Sequence, residues 1–182
     1  MAGEMIHDFT LDLDLEKYEE LLLLIIGDYT QIGRRKSNVG GYQSSLLESE
    51  EMTHELKKNL DIKVAEIDKK VKLHSWWINV NGKGHSNNSH DHYDRTPPTR
   101  KAGVSGVFYV SVPEENMGDI VFQGTVMRSN PTMFNPPKKF EPRPNRLLLF
   151  PSDCFHSVEP NQSDKERISL AFNYTREETV YD

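Results

Sequence analysis

Two periodicities divide the chain. Between Tyr18 and Ile26 the apolar residues Tyr18, Leu21, Leu22, Ile25 and Ile26 recur at helical spacing, which puts them on one stripe that can be buried while the rest meets water. Asp14 offers a side-chain acceptor for the first free amides and Gly27 a stop. Met52, Leu56, Leu60, Val64, Ile67 and Val71 repeat the spacing with Glu and Lys opposite, and one long helix or two short ones fit. Residues 33–45 hold three glycines, Asn38 and several hydroxyls, a composition that predicts an ordered loop. From Leu73 the period falls to two. β-Branched and aromatic residues alternate over 75–81, 105–112, 119–123, 146–150 and 167–174, so at least five strands are expected. Strands that follow helices without helical crossovers predict an α+β chain whose strands are antiparallel, with a jelly-roll as the best single topology. The chain reads as one domain over 1–182, mainly helical over 1–72, with the jelly-roll over 73–176 and the helices packed against it. Residues 124–145 contain five prolines and little periodicity, so they read as a long connection of the kind that covers a site.

Charge and composition narrow the function. Lys and Arg total 22 against 28 for Asp and Glu, a formal net charge of -6, which repels phosphate backbones and argues against nucleic acid as the primary partner. The longest apolar run, Leu21 to Ile26, is far short of a membrane span, so a cytoplasmic protein is expected. Cys154 is the single cysteine. It permits no internal disulfide and makes no thiolate site alone, so any metal must sit on His and carboxylate.

Three of the seven histidines, His85, His90 and His92, fall within eight residues, with Asp91 between the last two and Asp94 two residues beyond His92. In an extended chain, residues two apart point the same way, so His90, His92 and Asp94 share a face. His156, just after the apolar strand that ends at Phe150, could add a ligand from an adjacent strand end. Neutral imidazole with carboxylate suits iron(II) and related divalent ions, and three facial ligands leave open positions. Polar surface loops also collect such residues, and spacing alone does not separate the two cases. Arg167 opens a strand on which Arg167, Ser169, Ala171 and Asn173 share one face while Ile168, Leu170 and Phe172 take the other. Such an arginine can grip a carboxylate through two parallel hydrogen bonds, with the Ser169 hydroxyl as a further donor; a rim ion pair with Glu159 or Glu166 is the plain alternative. Of Trp76 and Trp77, one is expected in the core and the other at a pocket. Cys154 is expected to be a small buried apolar group.

These residues resemble the iron(II)- and 2-oxoglutarate-dependent oxygenases, and in particular a small group found in bacteria and cyanophages. The resemblance runs through residues 38–44 (NVGGYQS), 75–81 (SWWINVN), His90-Asp91-His92, 105–110 (SGVFYV) and 118–122 (GDIVF). It continues through 149–152 (LFPS), 156–158 (HSV) and 167–169 (RIS), closing in Phe172-Asn173. It implies a cupin-like double-stranded β-helix in which a His-x-Asp/Glu pair and a distant His hold Fe(II), while an Arg-x-Ser strand binds the distal carboxylate of 2-oxoglutarate. It further implies that oxidative decarboxylation of that cosubstrate drives hydroxylation of a C–H bond, with release of succinate and CO2. His156 matches the distant His; Arg167 and Ser169 match the cosubstrate grip. Asn79 and Tyr109 sit where similar enzymes point polar side chains at 2-oxoglutarate.

One departure leaves the first metal motif open. The group usually carries His-x-His followed by Pro, whereas here His90-Asp91-His92 is followed by Tyr93, Asp94 and further residues to Lys101. Alignment favours His90, His92 and His156. Charge favours His92, Asp94 and His156, because a carboxylate partly neutralises the dication. Two other function classes compete: a three-histidine cupin dioxygenase that needs no keto acid, and a jelly-roll binding module that has lost its metal. Arg167 and Ser169 argue against the first, and the joint presence of His92, His156 and Arg167 against the second. The substrate class stays open between a small molecule and a protein side chain, and a homodimer is compatible with the sequence.

Overall fold

The computed structural model describes residues 5–28, 33–92, 103–126 and 128–176. In chain order the elements are β1 (His7–Thr10), α1 (Leu15–Ile26), β2 (Asn38–Val39), β3 (Tyr42–Gln43), a 3-10 turn at Ser49–Glu51, α2 (His54–Ala65), β4 (Val71–Asn81) and β5 (Ser86–His90). They continue with β6 (Gly103–Ser111), β7 (Ile120–Thr125), β8 (Thr132–Phe140), β9 (Arg146–Pro151), β10 (Phe155–Val158) and β11 (Arg167–Arg176). The strands form a six-stranded sheet in the order β1-β9-β6-β11-β4-β3 and a five-stranded sheet in the order β2-β5-β10-β7-β8. All named pairs are antiparallel. This is the jelly-roll, or double-stranded β-helix.

Alternation on β4 and β11 decides what each face of the larger sheet does. Trp76, Ile78 and Val80, with Ile168, Leu170 and Phe172, join a core in which Tyr18 and Leu22 of α1 and Leu56, Leu60 and Val64 of α2 are also buried. Each such side chain contributes about 1.5–3 kcal/mol by leaving water. The helices are fixed to this face by ordinary devices. Asp14 Oδ1 accepts from Lys17 N, Gly27 ends α1 at φ 62° with its N–H on the Leu23 carbonyl, and Tyr18 donates to Glu55 Oε2 at 2.6 Å. The opposite face, carrying Trp77, Asn79, Asn81, Arg167 and Ser169, is left to the space between the sheets. A second apolar cluster there, including Tyr109, Phe122, Leu148, Phe150 and Cys154, joins the two layers.

Three expectations change. Residues 33–45 are not a plain loop: β2 pairs in the smaller sheet and β3 in the larger, with Gly40 and Gly41 at φ 68° and 70° carrying the chain between them. Residues 124–145 include β8, an edge strand beside β7. Pro136 and Pro137 are tolerated there because they fall in the register break between the Phe122–Lys138 and Gly124–Met133 pairs, where no ladder N–H is required of them. The helical periodicity overshoots: α2 ends at Ala65 and Val71 already belongs to β4. The N-terminal part is thus less helical than its pattern, since it supplies β1, β2 and β3 as well as both helices.

Candidate active site

Three histidines meet between the sheets. His90 ends β5 and lies in register with His156 on the neighbouring β10. His92, two residues on, is anchored by its N–H on the Ser152 carbonyl at 2.8 Å. One nitrogen from each ring falls within 4.8 Å of the others, and the Nε2 atoms of His90 and His92 are 3.3 Å apart. Each opposite nitrogen faces an oxygen. His92 Nδ1 lies 3.0 Å from Asn173 Oδ1, His156 Nδ1 3.0 Å from the Cys154 carbonyl and His90 Nδ1 2.7 Å from the Asn88 carbonyl. Those oxygens only accept, so each Nδ1 carries the proton and each Nε2 presents a lone pair to the centre. Burial holds all three rings in the neutral, ligating form, and repulsion from neighbouring rings adds to it at His92 and His156: His92 is pushed down to about 3, and His156 and His90 are also lowered, desolvation being the leading cause in each.

A buried cation faces the same space. Arg167 is 3% exposed; its Nη1 donates to the Met117 and Gly118 carbonyls at 2.8 and 3.0 Å and its Nη2 to Asn81 Oδ1 at 3.1 Å. Gly118 is required in this cradle. It sits at φ 93°, and a Cβ there would lie 2.3 Å from the Glu159 carbonyl oxygen and 3.3 Å from Arg167 Nη1. Arg167 Nε is buried without a partner, and no carboxylate among the described residues pairs with the guanidinium, so the rim pair with Glu159 or Glu166 does not form. Beside it, Asn79, Ser169 and Tyr109 occupy one row across β4, β11 and β6. They line, with Arg167 and the three histidines, an inner cavity of about 60 Å³.

A sequence model of the family described as "Putative 2OG-Fe(II) oxygenase" matches residues 75–173, more than half the chain. The chain belongs to the 2OG-Fe(II) oxygenase family. This oxygenase is therefore a non-haem iron enzyme that uses Fe(II) and 2-oxoglutarate, and its residues fit both groups: three converging imidazole nitrogens could hold the metal, and a buried guanidinium without a counter-ion among the described residues could hold a carboxylate. The fold agrees. A prolyl-4-hydroxylase from Pseudomonas putida superposes with a TM-score of 0.72 at 15% identity, over 97% of this chain and 95% of that one. A viral collagen prolyl hydroxylase from Paramecium Bursaria Chlorella virus-1, in its 2-oxoglutarate complex, gives 0.68 at 14%, over 96% and 98%. HygX from Streptomyces hygroscopicus, with nickel and 2-oxoglutarate bound, gives 0.67 at 12%, over 97% and 84%. No curated protein matches the chain.

The oxygenase brings His90, His92, His156, Arg167, Ser169, Asn79 and Tyr109 to one cavity; Asp94 lies outside the described residues. Trp76 is in the helix-side core, with Nε1 donating to the Glu48 carbonyl at 2.8 Å, while Trp77 lines the cavity 5.3 Å from the His92 ring. Cys154 is fully buried, and burial pushes its thiol up to about 11, the inert state expected of a packing residue. Asn173 and Asn81 were not singled out by residue chemistry, although strand alternation on β11 places Asn173 on the site face with Arg167. No helix among the described residues is long and apolar enough to cross a membrane.

Proposed function

We propose that this enzyme hydroxylates a C–H bond of its substrate while converting 2-oxoglutarate to succinate and CO2, with His90, His92 and His156 holding Fe(II) and Arg167 and Ser169 holding the distal carboxylate of the cosubstrate. The observation that carries this reading is the pairing, in one cavity, of three inward Nε2 atoms with a buried arginine that has no anionic partner among the described residues. Bound together, iron and 2-oxoglutarate supply the oxidant, one dioxygen atom leaving in succinate and the other entering the substrate.

The chain's own residues do the positioning. Asn173, Asn88 and Cys154 fix the ring orientations through their oxygens, so no proton competes for the metal-facing nitrogens. Arg167 has two of its nitrogens held by the Met117 and Gly118 carbonyls and Asn81, which aims the unpartnered Nε edge without further loss of rotamer freedom. Ser169 adds a hydroxyl, and Asn79 and Tyr109 complete the polar row. A three-histidine dioxygenase without a keto acid has no use for a desolvated, uncompensated guanidinium, which is costly to keep.

For the substrate, the solved structures named as prolyl hydroxylases support a peptide side chain or a small molecule of similar size. Anaerobic titration with Fe(II) and then 2-oxoglutarate is expected to develop the weak visible charge-transfer band of the chelate, and admission of air to yield succinate. Absence of the band at full iron occupancy would sink the cosubstrate assignment.

A further inference from the structure

Beyond the inner cavity, and sharing Ser37, Gln43, Trp77, His90 and His92 with it, lies a chamber of about 1030 Å³. Its wall carries Arg34, Arg35 and Lys36 against a single acid among the described residues, Asp91. That excess of positive charge is local, since the chain as a whole is at -6. Two side-chain nitrogens among the described residues are buried without any partner, Arg167 Nε and Arg34 Nε. They belong to different cavities: Arg167 lines the inner one and Arg34 the outer.

Arg34 is also held in place. Its guanidinium lies 5.4 Å from the Trp77 ring centre. With the Gln43 amide turned to satisfy its neighbours, the Gln43 oxygen accepts from Trp77 Nε1 at 2.7 Å and from Arg34 Nη2 at 3.3 Å. No carboxylate among the described residues pairs with it. An oriented, partly desolvated arginine with an unused donor is what an incoming anion needs. Trp77 separates it from the His92 ring, so a group bound there would stand one indole ring from the metal ligands.

Building on the iron and 2-oxoglutarate reading above, we infer that the substrate is a small molecule bearing an anionic group, carboxylate or phosphate, which Arg34 binds with Arg35 and Lys36 in support while the carbon to be oxidised reaches past Trp77 to the histidines. Arg34 is thus a specificity residue for the substrate, distinct from Arg167, which serves the cosubstrate.

Calorimetry on the anaerobic Mn(II) form tests this. Binding of Mn(II) and 2-oxoglutarate is read first, so that failure of the active-site reading registers separately. Phenylacetate, phenyl phosphate and benzyl alcohol are then titrated as probes. We expect at least one anionic probe to bind about tenfold or more tighter than benzyl alcohol, a step that corresponds to about 1.4 kcal/mol, and the better of the two to identify carboxylate or phosphate. Arg34→Gln should remove most of that preference while leaving 2-oxoglutarate and benzyl alcohol binding unchanged. Because Arg34 also touches Gln43 and Trp77, two further arms avoid relying on it: the exposed pair Arg35→Gln and Lys36→Gln, and a rise in NaCl from about 0.05 M to about 0.5 M, should each weaken the anionic probes only. Equal binding of charged and neutral probes by the parent overturns the inference. So does an anion preference that survives Arg34→Gln.

Discussion

His90 and His156 stand opposite one another across the β5–β10 pair, their ring centroids 4.3 Å apart, although 66 positions separate them in the chain. Antiparallel pairing, not local spacing, makes them neighbours, and the proposed metal site is therefore a property of the sheet. On the reading proposed here each is one of three protein ligands, and losing either leaves two, too few to outcompete water. His156→Ala is expected to lose its iron on anaerobic dialysis, by metal analysis, while far-UV circular dichroism stays that of the parent. Full occupancy in the variant would remove His156 from the site.

For the remaining ligand we propose His90, on the same geometry. His90 has its Nδ1 committed to the Asn88 carbonyl and its Nε2 3.3 Å from that of His92. We expect His90→Ala to lose iron and Asp94→Ala to retain it under identical dialysis. The reverse result would restore the carboxylate triad.

Asn173 offers a subtler test, because it touches no metal. Its oxygen accepts from His92 Nδ1 at 3.0 Å and from Ser105 Oγ at 2.7 Å, and so fixes which ring nitrogen of His92 carries the proton. Asn173→Ala should weaken iron affinity by about 10- to 100-fold, measured by competition with a chelator. Asn173→Asp, which keeps the acceptor, should recover most of it. A purely structural asparagine would predict a drop in thermal stability without a change in affinity.

Much of this was legible in the chain, and the remainder was hidden for identifiable reasons. Helix α1 is readable end to end because Asp14 and Gly27 act locally. The strands β4, β6, β9 and β11 are readable because burying one or both faces demands a run of branched and aromatic side chains. Strand β5 has the sequence SNNSH, with no apolar alternation to detect, since one neighbour is β10 and the other only the two-residue β2. Strand β8 is concealed by its prolines, which it tolerates as an edge strand with a break in its pairing register. At the site, His92, His156, Arg167 and Ser169 are visible as chemistry. The carbonyls of Met117, Gly118, Asn88 and Cys154 carry no side-chain signal, and the partnership of Asn173 with His92 spans 81 positions.

The carboxylate clamp makes the last prediction, and its parts separate by magnitude. Arg167→Lys keeps a charge but replaces a planar fork with a point donor. It also abandons the contacts to Met117, Gly118 and Asn81 that aim the side chain. We expect a large rise in the dissociation constant of 2-oxoglutarate with iron content unchanged, by calorimetry on the anaerobic iron form. Ser169→Ala removes one hydroxyl, worth about 1 kcal/mol or roughly fivefold. Gly118→Ala reaches the same site through the backbone. At φ 93°, with the Glu159 carbonyl 2.3 Å from the new methyl group, the loop must shift and carry with it the oxygen that holds Arg167 Nη1. That variant should lose about 1–3 kcal/mol of stability and weaken 2-oxoglutarate without touching the histidines. If Gly118→Ala lowers the melting temperature while the keto-acid affinity stays at the parental value, the cradle does not aim Arg167, and the clamp must be rigid by other means.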